Sequence, residues 1–205
     1  QDLTNSGRKM VLTTFSAALL SELDIVILGV FYSGPILGVL AWSKRILEGL
    51  YQLVGASLDI VFPEISKLND TEEISGVRSK LRIVILISLL IPVTYILLEN
   101  VAKSVFINVL GSEFENLASI FSVVIFSLPF MLWSRINIIF ARAMHYEVDL
   151  FKIIIAAAAS SFLLYYINDT YNYFAIEYGI LGSQILFSIF TSFLINSHIK
   201  KERNI

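Results

Sequence analysis

The chain of 205 residues contains no cysteine. This excludes disulfides, thiol chemistry and Cys-ligated metals, and it leaves the redox compartment open. Only two histidines are present, His145 and His198, far apart in the chain. A His-based metal site is therefore not expected. Charge is scarce too: 16% of residues are Asp, Glu, Lys or Arg, against ~25% in soluble domains. No Gly-rich phosphate loop and no nucleophile–base constellation can be found. No catalytic residue, no cofactor and no nucleic-acid partner is therefore expected. The opening QDLTNSGRKM is not a secretory signal, since the apolar run after it is too long and lacks a small-residue cleavage pattern.

What is present is apolar. Hydrophobic residues make up 56% of the chain, the mean hydropathy is +0.75, and there are 15 Phe and 9 Tyr. Aromatic side chains of this kind suit a bilayer and its interfaces. A bilayer core of ~30 Å needs about 20 mostly apolar residues per helix. Six runs meet this description: 10–32, 36–62, 81–98, 117–133, 151–167 and 179–196. The expected fold is all-α, a polytopic membrane protein whose six helices form one transmembrane bundle. The only tight turn, Tyr32-Ser33-Gly34-Pro35, makes the first two runs a helical hairpin. Pro63 ends the second run, and Pro92 and Pro129 are expected to kink later ones.

Basic residues then orient the runs. Arg8 and Lys9 precede the first. Lys67, Arg78, Lys80 and Arg82 are read between the second and third. Arg135, Arg142 and Lys152 fall between or at the ends of the fourth and fifth, and Lys200, Lys201 and Arg203 follow the sixth. Twelve of the 15 basic residues thus lie on one side. The opposite connections hold only Lys103. The positive-inside rule places both termini in the cytoplasm.

The remaining bases, Lys44 and Arg45, fall inside the second run, and Glu22 and Asp24 inside the first. Asp24 lies about ten residues before the turn, and Lys44 and Arg45 about ten after it. At 1.5 Å per residue both sets sit roughly 15 Å from the turn, near the bilayer middle. Opposite charges at one depth lower the cost of burying either. A pair that merely fixes helix register is the plain alternative for Asp24 and Arg45. The second run also carries Ala41, Arg45, Glu48, Gln52, Gly55 and Asp59 at spacings of 4, 3, 4, 3 and 4, which form one stripe with Lys44 at its edge. Glu48 is spaced to pair with Lys44 or Arg45. So long a polar seam suits the wall of a water-filled cavity. Gly49 and Gly55 suit close helix packing.

The stretch LDIVILGVFYSGPILGVLAWSKRILEGLYQLVGASLDIVFPEISKL (Leu23–Leu68) resembles the multidrug/oligosaccharidyl-lipid/polysaccharide exporter superfamily, and in particular the O-antigen (Wzx-type) flippases. The resemblance rests on Asp24, Gly29, Gly38, Arg45-Ile46 and Pro63-Glu64-Ile65-Ser66-Lys67-Leu68. It continues in VFINVLGSEFENLASIF (Val105–Phe121) and EYGILGSQILFSI (Glu177–Ile189). It implies a two-bundle transporter of which this chain is the carboxy-terminal half, consistent with a chain that does not start with Met. The missing amino-terminal bundle would then be a partner.

The implied substrate is a lipid-diphosphate-linked oligosaccharide, such as an O-antigen or lipopolysaccharide repeat unit, moved to the external leaflet of the bacterial cytoplasmic (inner) membrane. Arg45, Lys44 and Gln52 are the expected substrate-binding residues. Asp24, Glu48 and Asp59 are expected as ion-pair partners or as carriers of H⁺ or Na⁺ coupling. The rivals are a multidrug cation antiporter, a peptidoglycan lipid flippase, and a non-transporting scaffold for glycan assembly.

Overall fold

Gly34 has φ 76°, a left-handed conformation open to glycine because it lacks Cβ. Pro35 follows as the first residue of α1 (Pro35–Asp59), where its missing N–H costs no helical bond and its fixed φ is already helical. In the computed structural model Gly34-Pro35 thus opens a 25-residue helix, while Tyr32 and Ser33 of the expected turn lie outside the described residues. The structure describes residues 11, 25–26, 28–30, 34–59, 71–144, 146–171 and 176–203. Most of the first apolar run lies outside them, but Leu28 is fully buried in the core.

After α1 the chain forms α2 (Thr71–Ser88), α3 (Leu90–Leu97) and α4 (Glu99–Leu110). A 3-10 turn at Ser112–Phe114 leads to α5 (Leu117–Val124) and α6 (Ser127–Ala143). α7 (Glu147–Tyr171) and α8 (Ile176–Arg203) complete the chain. The breaks between α2 and α3 and between α5 and α6 have one cause. Pro92 and Pro129 each lack the N–H that would reach back four residues. In the turns just before them, Leu89 N is shared between Ile85 O at 3.2 Å and Leu86 O at 3.3 Å, and Leu128 N donates to Ile125 O at 3.1 Å.

Among the described residues there is no strand. Four helical stretches among the described residues are long and apolar enough to cross a membrane: Gly76–Leu97, Leu117–Ala143, Val148–Asn168 and Glu177–Ile199. The chain is an all-helical, multi-pass membrane protein. α1 has 25 residues, about 37 Å at 1.5 Å per residue, but Lys44, Arg45 and Glu48 set its middle apart from the four. The stretch α5–α6 is central. It packs against α1 and α8, and α2 packs against α6. Its apolar window is 56% buried, whereas that of Gly76–Leu97 is only 11% buried.

Two helices extend beyond the runs read from hydropathy. α2 starts ten residues before Leu81, and α6 continues ten residues past Trp133. Hydropathy falls at a charged residue, but backbone hydrogen bonding does not. Arg78, Arg82, Arg135 and Arg142, read in connections or at helix ends, therefore lie within helices. Gly49 also departs from expectation: it is exposed, with nothing within 4 Å of where a Cβ would stand.

Candidate functional site

The buried side of α1 runs through Leu40, Lys44, Leu47, Gly55 and Leu58. Its polar stripe lies along one edge of that line. Arg45 and Gln52 are exposed, while Ala41 and Glu48 are half-buried. Lys44 is 5% exposed, and its Nζ stands 3.9 Å from Glu48 Oε1, one turn further on. This is the i,i+4 pairing that the sequence spacing allows. The structure thus brings Lys44 and Glu48 together and leaves Arg45 and Gln52 facing outward. Asp59 closes α1, but its side chain is outside the described residues. Glu22 and Asp24 are outside them as well, and so is any meeting of Asp24 with Arg45.

A third base approaches the stripe from α6. The Arg135 guanidinium lies 5.0 Å from the Tyr51 ring centroid, within cation–π range. It fills the notch left by Gly55, where a Cβ would collide with it. Gly55 therefore serves close packing as expected, with a guanidinium as its neighbour. Arg135 is half-buried.

The opposite edge of α1 is apolar. Ile46, Leu50 and Val54 recur every four residues and line a groove of about 750 Å³. Its far wall comes from α2–α3, α4 and α5, including Ile91, Tyr95 and Phe121. Tyr95 and Phe121 meet edge-on, with ring centroids 4.9 Å apart, and the Tyr95 hydroxyl donates to Ala118 O at 3.1 Å. Seam and groove thus flank the line along which α1 packs.

A polar network ties α2, α6 and α8. Arg78 is 5% exposed. Its Nε and Nη2 donate to Asn137 Oδ1 at 3.2 and 2.8 Å, and its Nη1 to Asn196 Oδ1 at 2.6 Å. Asn137 is fully buried and passes the connection on, donating from Nδ2 to Thr191 Oγ1 at 3.3 Å and Ser192 Oγ at 3.1 Å. Trp133 Nε1 also donates to Ser192 Oγ, at 2.6 Å. Both Arg78 and Arg82 lie against the Trp133 ring, at 5.1 and 5.8 Å from its centroid. Among the described residues no group of His, Cys, Asp and Glu is arranged to hold a metal ion.

A family model described as polysaccharide biosynthesis protein matches residues 1–119. The chain belongs to the polysaccharide biosynthesis protein family. No curated protein and no solved structure matches it. In this family member the matched segment carries the α1 seam, the groove-lining part of α1, and Arg78 and Arg82. Trp133, Asn137 and Asn196 lie beyond it. Arg135 and the Arg78 network were missed in the sequence for one reason. Each was counted as a positive charge outside a span, and a buried partner 59 or 118 residues away leaves no local signal. One sign was legible: Arg78 and Arg82 are a helical turn apart, a spacing that puts both on one face.

Proposed function

We propose that this polysaccharide biosynthesis protein takes part in flipping a lipid-diphosphate-linked oligosaccharide from the cytoplasmic to the external leaflet of a bacterial cytoplasmic membrane. It does so as the carboxy-terminal bundle of a two-bundle transporter, with both termini cytoplasmic. The α1 seam is the observation that carries this reading. A helix of membrane-spanning length holds the buried Lys44 paired with the half-buried Glu48, and the described helices leave the neighbouring Arg45 and Gln52 uncovered. A second bundle facing that edge would enclose a polar cavity with cations on its wall. A diphosphate is multiply anionic, and Arg45 and Lys44 offer it charge-assisted hydrogen bonds. Rocking of two bundles about such a mid-membrane site gives alternating access. Glu48, Asp59 and Asp24 are the groups that would release the bases on binding or carry a coupling H⁺ or Na⁺.

The test uses cells lacking the intact protein. Lipid-linked oligosaccharide should accumulate in the inner leaflet while surface polysaccharide falls. The intact protein should restore both, and an Arg45→Ala version should not. Normal glycan export together with increased sensitivity to cationic drugs would instead support the antiporter. For coupling, Asp24→Asn should change the ion dependence of transport; an unchanged dependence removes Asp24 from that role.

A further inference from the structure

Arg78 and Arg82 present a charge problem that the seam does not answer. They are one turn apart on α2, which puts their Cβ atoms about 5–6 Å from each other and makes the two cations repel. Both lie against the Trp133 ring. Arg78 is buried, and its guanidinium donates to the neutral side-chain carbonyls of Asn137 and Asn196. Among the described residues, no carboxylate pairs with either arginine. Amide carbonyls satisfy N–H groups but leave the net charge uncompensated, and a buried cation without a counter-ion is costly.

The surroundings are those of a binding site. A guanidinium has five N–H donors. Asn137 and Asn196 take three from Arg78, so two remain for another acceptor. Arg78 lies two residues inside the stretch Gly76–Leu97 and Asn196 three residues inside Glu177–Ile199, so the site is at the rim of the bundle. Arg82 and Asn196 are exposed, which leaves the site open at the surface of the bundle. Asn137 and Asn196, on α6 and α8, hold the Arg78 guanidinium in place before any ligand arrives, and preorganisation of this kind lowers the entropic cost of binding.

We infer that Arg78 and Arg82, against the Trp133 ring and beside Asn196, form a binding site for a phosphate group at the bundle rim. Arginine is suited to this ligand because its planar fork matches phosphate oxygens. The site is separate from the α1 seam and does not depend on the transport reading. A lipid headgroup and a soluble phosphate compound share the recognised chemistry.

Trp133 provides the reporter. The chain has two tryptophans, so Trp42→Phe leaves Trp133 alone beside both arginines. The full chain with this substitution is placed in phosphatidylcholine nanodiscs and titrated with inorganic pyrophosphate. In a second series the nanodiscs contain increasing phosphatidylglycerol. A saturable change in Trp133 emission is expected in at least one series. A response to phosphatidylglycerol alone identifies a lipid headgroup, and a response to pyrophosphate in neutral nanodiscs identifies a soluble ligand; either supports the site. Arg82 is exposed, so Arg82→Gln leaves the core intact. It should weaken the apparent affinity about tenfold, the effect of losing one charge-assisted hydrogen bond, and Arg82→Lys should weaken it less. No emission change in either series, or an identical change in Arg82→Gln, would overturn the proposal.

Discussion

Replacing Asn137 with leucine, a side chain of similar volume, tests what holds α2, α6 and α8 together. The substitution removes the carbonyl that accepts from Arg78 Nε and Nη2. It also removes the amide that donates to Thr191 and Ser192. A hydrogen bond to a charged group contributes about 1.5–3 kcal/mol. Interhelical neutral bonds in membranes average about 0.6 kcal/mol each, because the chain separated within the bilayer finds other partners. The expected loss is about 3–4 kcal/mol, most of it from stranding a guanidinium that is 5% exposed. At about 2–4 °C per kcal/mol for a chain of this size, Tm falls by roughly 6–16 °C. The assay is thermal unfolding of the purified protein in detergent, followed by circular dichroism. The decisive variant is the double substitution Arg78→Met with Asn137→Leu. Removing both partners eliminates the stranded charge, so the double variant should recover much of the loss. An Asn137→Leu protein within about 1 kcal/mol of the parent, or a double variant no more stable than the single one, would refute the reasoning.

Three further outcomes follow from the geometry. Arg45→Ala should lower surface polysaccharide without moving Tm measurably, because the side chain is exposed; a large fall in Tm would make Arg45 a structural residue. Gly179→Leu should destabilise the α7–α8 contact by about 1–3 kcal/mol, an overpacking cost. A Cβ there already meets the ring of the fully buried Tyr165, and chemical denaturation would measure the loss. Lys103→Ala breaks the 3.0 Å pair with Glu115, but both side chains are well exposed, so stability should change by less than about 1 kcal/mol in the same measurement.

The turn at Gly34-Pro35 and the breaks caused by Pro92 and Pro129 were legible in the sequence because they depend on one or two residues. The last four apolar runs were legible because lipid exposure leaves long stretches without charge. The α1 stripe could be read as a spacing, and the Lys44–Glu48 pair followed from it. The outward facing of Arg45 and Gln52 could not be read, since it depends on which side of α1 meets α5 and α6. The network around Asn137 was hidden more deeply. Arg78 looks like an ordinary surface charge, Asn137 falls past the end of the run 117–133, and Asn196 stands near a basic tail. Only packing of three separate helices makes them one unit. The same packing supplied Arg135 with Tyr51 and Gly55, and so let α6 continue past the point where hydropathy ends it.

The contrast between the central stretch α5–α6 and the peripheral α2–α3 bears on how such a chain drifts over generations. Most of Gly76–Leu97 faces outward, where lipid tails accept any apolar side chain. Leu, Ile, Val and Phe are nearly interchangeable there, and substitutions among them should accumulate almost freely. Leu128, Leu132, Ile136 and Phe140 are each fully buried on α6, and each has neighbours that must change with it. A random library selected for folding would therefore scatter changes along the outer face of α2–α3. Along α6 it would return compensating pairs.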